Sequence, residues 1–206
     1  MKENLEKAKP ILFNTEMVRA ILDGKKTETR RVVTPQPEFR NGETGFYILM
    51  DDGSFELKID GYEYTSDYPI TPKYYRGDIL YVRETFIKTG TDNPKYFYKA
   101  DCHPSLHHLY KFSPSLHMPK EAARLFLRVT DVRAERLQEI DEVGTAKEGI
   151  RTDVLTCRFD DPDFVENIGG VPIFAKLWDS TVRKDAIDKF GWDANPWVFV
   201  YSFERI

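Results

Sequence analysis

The chain has 206 residues, which suits one domain with a decorated loop or two, and its 14 Phe and 11 Tyr favour sheet over a helix bundle. Its net charge of −4 excludes a global basic field, so a nucleic-acid partner would need a local basic cluster. No apolar run approaches the roughly 20 residues that span a bilayer, the first seven residues lack the apolar centre of a secretory signal, and Cys102 and Cys157 stand in dissimilar contexts that give no disulfide framework. A cytoplasmic protein with no membrane partner is expected.

In chain order, residues 10–13 form a short apolar run, and Asn14 or Thr15 can cap the helix that follows. Met17, Val18, Ile21 and Leu22 recur at helical spacing, and Gly24 supplies the stop. Residues 27–33 read as a strand. Residues 34–75, rich in Pro, Gly, Asp and Tyr, read as an insertion and not a separate domain, since they lack apolar residues for an interior of their own. Within them, residues 46–50 and 55–59 form a hairpin through Asp51-Asp52-Gly53.

Strands are expected at 79–86 and 96–100, followed by a second insertion at 100–119 with Pro and His. A core strand at 125–132 leads to a short helix at 141–148 ended by Gly149. Ile173, Phe174, Leu177 and Trp178 make an apolar helical face begun by Pro172, and residues 197–203 close the chain as an aromatic strand. Several strands with few short helices predict a mainly β, α+β fold, a closed or nearly closed small barrel in a single domain over residues 1–206.

Three features carry possible chemistry. Residues 24–31 pack four cations, two threonines and one carboxylate into a helix-to-strand connection, where a rigid scaffold can present binding groups; a solvated basic turn is the plainer reading. Glu148 lies at the last turn of its helix, against the negative end of the dipole. Glu84 shares a strand face with Leu80 and Val82, so it stands either at the rim of a cleft or paired with a cation.

These residues also carry a resemblance. Gly24 to Arg31, Gly77-Asp78 leading a hydrophobic strand, and residues 125–132 resemble the ASCH domain, a branch of the PUA-like barrels. Ser115-Leu116-His117-Met118-Pro119, Leu177-Trp178-Asp179-Ser180 and the segment from Trp192 to Val198 bring the chain closer to ASCH-domain proteins of phages and prophages. The resemblance implies a PUA-like pseudo-barrel with loop and hairpin insertions. It implies binding of RNA, DNA or a modified nucleoside in a cleft. Small bacterial members are amidohydrolases that deacetylate N4-acetylcytidine with a Thr, a Lys and a Glu. Their Gly-x-Lys-x-x-Thr-x-Arg pattern falls on Gly24, Lys26, Thr29 and Arg31, and their glutamate on Glu148. A phage accessory protein acting through protein contacts is the third function considered.

In the enzymatic reading Thr29 is the nucleophile and Lys26, Thr29 and Glu148 are the catalytic set. Either Lys26 is the base, its pKa lowered by burial or by nearby Arg30 and Arg31, or Glu148 is the base and Lys26 stabilises the oxyanion. Thr29 and Lys26 have opposite parity along a strand, so Lys26 is expected in the turn after Gly24. Arg30, Arg31, Arg83, Glu84, His117 and Trp192 are the candidate ligand contacts, core packing being the alternative for Trp192 and an anchoring hydrogen bond that for His117. Cys102, His103, His107 and His108 share a loop but lack the supporting ligands of a structural zinc site, so no metal or cofactor is expected.

Overall fold

A computed structural model of the chain describes residues 5–37, 45–60, 70–90, 94–150, 155–158, 161–167 and 169–206. Asn14 Oδ1 accepts the Met17 N–H at 2.8 Å and so opens helix α1 (Thr15–Leu22). Gly24, at φ +71°, turns the chain away from it, a conformation that costs glycine nothing. This helix separates strands β1 (Lys9–Leu12) and β2 (Glu28–Val32). Next come the hairpin of β3 (Gly45–Leu49) and β4 (Phe55–Ile59), then β5 (Ile79–Arg83), then a second hairpin of β6 (Phe86–Thr89) and β7 (Lys95–Tyr98). The long strand β8 (Phe126–Arg136), helix α2 (Glu142–Lys147), hairpin β9 (Leu155–Arg158) and β10 (Asp161–Asn167), helices α3 (Gly170–Thr181) and α4 (Ile187–Phe190), and strand β11 (Trp197–Arg205) complete the order. No helix among the described residues is long and apolar enough to cross a membrane.

One five-stranded sheet organises the molecule, in the order β1-β5-β8-β11-β2, with β1 and β5 parallel and the other neighbours antiparallel. The mainly β, α+β expectation holds at this level. The closed barrel does not: β1 and β2 are the sheet's two edges and share no ladder. Hydrophobic periodicity reports that strands exist and is silent on which edges meet.

The core follows from alternation along β11. Trp197, Phe199, Tyr201 and Phe203 point into the main core, where Phe13, Leu80, Val82 and Leu127 also lie. Val198 and Val200 point to the opposite face, against Phe174 and Trp178 of α3. A strand covered on both faces must be apolar at nearly every position, which is why this segment reads as an unbroken aromatic and aliphatic run.

Phe55, Ile70 and Tyr74, from the described parts of the first insertion, are buried in the main core. The strand expected at 79–86 breaks at Glu84 and Thr85. Phe86 instead exchanges backbone hydrogen bonds with Ser113, at 3.2 and 2.7 Å, which draws the chain into the second hairpin. Phe86, Met118 and Ala122 make a small separate core beneath that hairpin.

Candidate functional site

Alternation along β2 sorts its side chains into two sets. Thr29 and Arg31 stand opposite Tyr201 and Phe199 of β11 and share their face. Glu28 and Arg30 take the other face, towards α2. Lys26 precedes the strand, in the expected turn: the Lys25 and Lys26 N–H groups both donate to the Ala20 carbonyl, at 2.8 and 3.0 Å.

From that turn Lys26 runs inward and is wholly buried. Its Nζ lies 2.5 Å from Glu148 Oε2 and also donates to the carbonyls of Glu28 (2.8 Å) and Glu148 (3.0 Å). Three acceptors match the three protons of an ammonium, so these contacts hold the charged form. Burial pulls the Lys26 pKa below its ordinary value, and the Glu148 carboxylate offsets this only in part. Glu148 follows α2 directly, where Gly149, at φ +86°, turns the chain.

The other oxygen of Glu148 is 3.2 Å from Arg30, which pairs with Glu135 at 2.7 Å. Glu135 meets Arg133 at 3.0 Å, Arg133 meets Glu28 at 3.0 Å, and Glu28 meets Lys147 at 3.2 Å. Seven charges thus alternate in sign beneath α2. Burial alone would favour protonated Glu28, but the donors of Arg133 and Lys147 hold its carboxyl below the usual value.

A cavity of about 1070 Å³ opens between the two edge strands, lined by Pro10 to Phe13 on one side and Thr29 to Val32 on the other. Residues of both parities from β2 reach it, because an edge strand leaves its rim uncovered. Two carbonyls of β2 are capped by cationic side chains: Glu28 by Lys26 and Arg30 by Arg31 Nη1, the latter at 3.3 Å. Tyr74, Phe174, Trp178 and Tyr201 give aromatic walls.

Thr29, Arg30, Arg31, Arg83 and Glu148 all line this cavity. The Thr29 hydroxyl has no hydrogen-bond partner among the described residues. Lys26 stands behind Glu148 and does not line it. The Arg30 guanidinium is occupied by two carboxylates, whereas among the described residues Arg31 and Arg83 bond only to carbonyls: Arg31 to Arg30 and Leu12, Arg83 to Met118 and Leu116. Burial lowers the Arg31 pKa, with Glu148 the main opposing influence.

Glu84, His117 and Trp192 lie outside the cavity lining. Glu84 is buried and accepts a bidentate pair from Arg124 at 2.8 and 3.0 Å, the cation-paired alternative for that residue. His117 is exposed on a 3₁₀ turn, held by its backbone N–H to the Pro114 carbonyl. Trp192 packs edge-on against Phe174 at 6.2 Å.

Sequence reasoning missed Lys73, Tyr74, Lys99 and Tyr201 as cavity residues. Tyr74 and Tyr201 meet edge-on at 5.2 Å, and the Lys73 N–H donates to the Tyr201 hydroxyl at 3.1 Å. The available signal was cations adjoining aromatics: Lys73-Tyr74 at the end of the first insertion, and Tyr98-Lys99 in the strand expected at 96–100. Comparison with protein-family models, curated proteins and solved structures yields no match to this chain.

Proposed function

We propose that the chain is an ASCH-type, PUA-like domain that binds a nucleic acid or a modified nucleoside in the cavity between its edge strands. One observation carries this reading. Arg31, Lys73, Arg83 and Lys99 border a single cavity and, among the described residues, none has a carboxylate partner. In a chain of net charge −4, four cations outside any ion pair, set around aromatic walls, suit phosphates and base faces. The pseudo-barrel part of the proposal draws on the Arg31 side chain, which spans from β2 to the Leu12 carbonyl of β1 at 2.9 Å.

The experiment is fluorescence anisotropy with labelled single-stranded RNA and DNA 10-mers of mixed sequence, titrated at several salt concentrations. Binding that weakens linearly on a log–log salt plot supports the proposal. Absence of binding to either polymer, and to nucleosides by calorimetry, overturns it.

The unpartnered Thr29 hydroxyl favours a second reading, deacylation of an N4-acylated cytidine. Thr29 Oγ would attack the acyl carbon, Glu148 would take its proton and return it to the departing amine, and water would then hydrolyse the threonyl ester. Lys26, with all three protons engaged, would hold Glu148 and not act as the base. Turnover of N4-acetylcytidine by wild type and its loss in Thr29→Ala is the test.

A further inference from the structure

We propose that a second, aromatic pocket on the β6–β7 hairpin receives one base of a single strand whose neighbouring nucleotide occupies the main cavity; this rests on the nucleic-acid reading above. The pocket encloses about 590 Å³, within the range of small-ligand sites, and its walls include Tyr96, Phe97, Tyr98, Tyr110 and Phe112. Phe97 of the hairpin and Tyr110 of the loop beside it are 55% and 52% exposed, large rings left in water.

The back of the pocket is a fixed flat surface. The Arg124 guanidinium lies 3.9 Å from the centre of the Tyr98 ring, held there by both oxygens of Glu84 and by Asp101 at 2.6 Å. Two carboxylates more than offset its single charge, so it offers a plane for stacking and not a phosphate site.

Two features join this pocket to the main cavity. Arg83 and Thr85 line the cavity, and Ile87 and Thr89 line the pocket, so one short stretch of chain, from the end of β5 through β6, borders both. Bases held in two separate sites cannot stack on each other, which suits a single strand, whose exposed base faces can be taken up by aromatic rings. Lys99 lines the cavity while its ammonium lies 5.8 Å from the ring centre of Phe112 in the pocket. It stands at the boundary the linking phosphate would cross.

The test uses the full chain and the mixed-sequence single-stranded RNA and DNA 10-mers, with the four nucleoside 5′-monophosphates as short ligands. Phe97→Ala and Tyr110→Ala should weaken 10-mer binding about five- to 150-fold while leaving monophosphate affinity within about twofold. Both rings are exposed, so the variants should melt as wild type does. Lys99→Gln should lower the salt slope for the 10-mer by about 0.7. A wild type that binds the 10-mers while all three variants bind them equally well overturns the second site and leaves the main cavity standing, the exposed rings then serving some other contact such as a protein surface. A wild type that binds no 10-mer removes the second site, and the main cavity then stands only if the monophosphates or nucleosides bind.

Discussion

The Arg31 guanidinium on β2 donates at 2.9 Å to the Leu12 carbonyl on β1, so a side chain and not a ladder spans the two edges of the sheet. The same guanidinium has no carboxylate partner among the described residues and lies 5.5 Å from the Phe13 ring centre at the cavity wall.

Arg31→Met is therefore expected to weaken binding of a single-stranded 10-mer and to reduce the dependence of log K on log salt by about 0.7, the share of one phosphate. Arg31→Lys should recover part of the slope but little of the affinity, since one ammonium cannot reproduce a planar fork that caps two carbonyls and still faces a ligand. Anisotropy titrations across a salt series measure both. An unchanged slope in Arg31→Met removes this residue from the contact set.

Glu148→Ala should destabilise the fold by about 3–5 kcal/mol, because it leaves the Lys26 ammonium buried without its counter-charge. The double variant Lys26→Met, Glu148→Leu should be markedly more stable than Glu148→Ala, since it removes both charges from the interior. Urea midpoints of the three proteins decide the matter. If the double variant is no better than the single one, the pair is not the source of the loss.

Thr29→Val replaces a cavity-lining hydroxyl that has no hydrogen-bond partner among the described residues with a methyl group of similar size. Folding stability should stay within about 1 kcal/mol of wild type. Should wild type turn over N4-acetylcytidine, the same variant must be inactive; residual turnover would exclude Thr29 as nucleophile.

Tyr201 sets an alkaline limit. Burial pushes its phenol up to about 12, from an ordinary value of 10.0. Between those values the folded chain holds a proton that the unfolded chain has released, so this contribution is full below pH 10 and is lost as pH rises towards 12, at roughly 1.4 kcal/mol per pH unit. Tyr47 is raised in the same way, so the informative quantity is a difference. Wild type minus Tyr201→Phe, from urea midpoints at pH 9, 10 and 11, should fall with pH; a flat difference would contradict the burial account.

Local signals were legible where they act locally. Asn14 and Gly24 bounded the first helix, and strand parity put Lys26 in the turn ahead of β2. That parity could not say where Lys26 points, because its partner Glu148 is 122 positions away. Arg30 illustrates the same limit. As one of two adjacent arginines it looked like a contact for a ligand; it does line the cavity, but its face of β2 meets Glu135 and Glu148, whereas Arg31 has no carboxylate within ion-pair distance among the described residues. The insertions were illegible for a different reason. Being poor in aliphatic residues they gave no core-forming pattern to read, yet they supply Lys73, Tyr74 and Leu116 to the cavity, since a binding wall is chosen for charge and rings and not for core-forming pattern.

Each carboxylate in the chain of charges beneath α2 is shared by two cations: Glu148 by Lys26 and Arg30, Glu135 by Arg30 and Arg133, Glu28 by Arg133 and Lys147. None can swing towards one neighbour without deserting the other. Glu148 and Arg30 are thus immobilised in the apo protein, and a guest meeting that side of the pocket finds rotamers already chosen, so that little further disorder is lost when it docks.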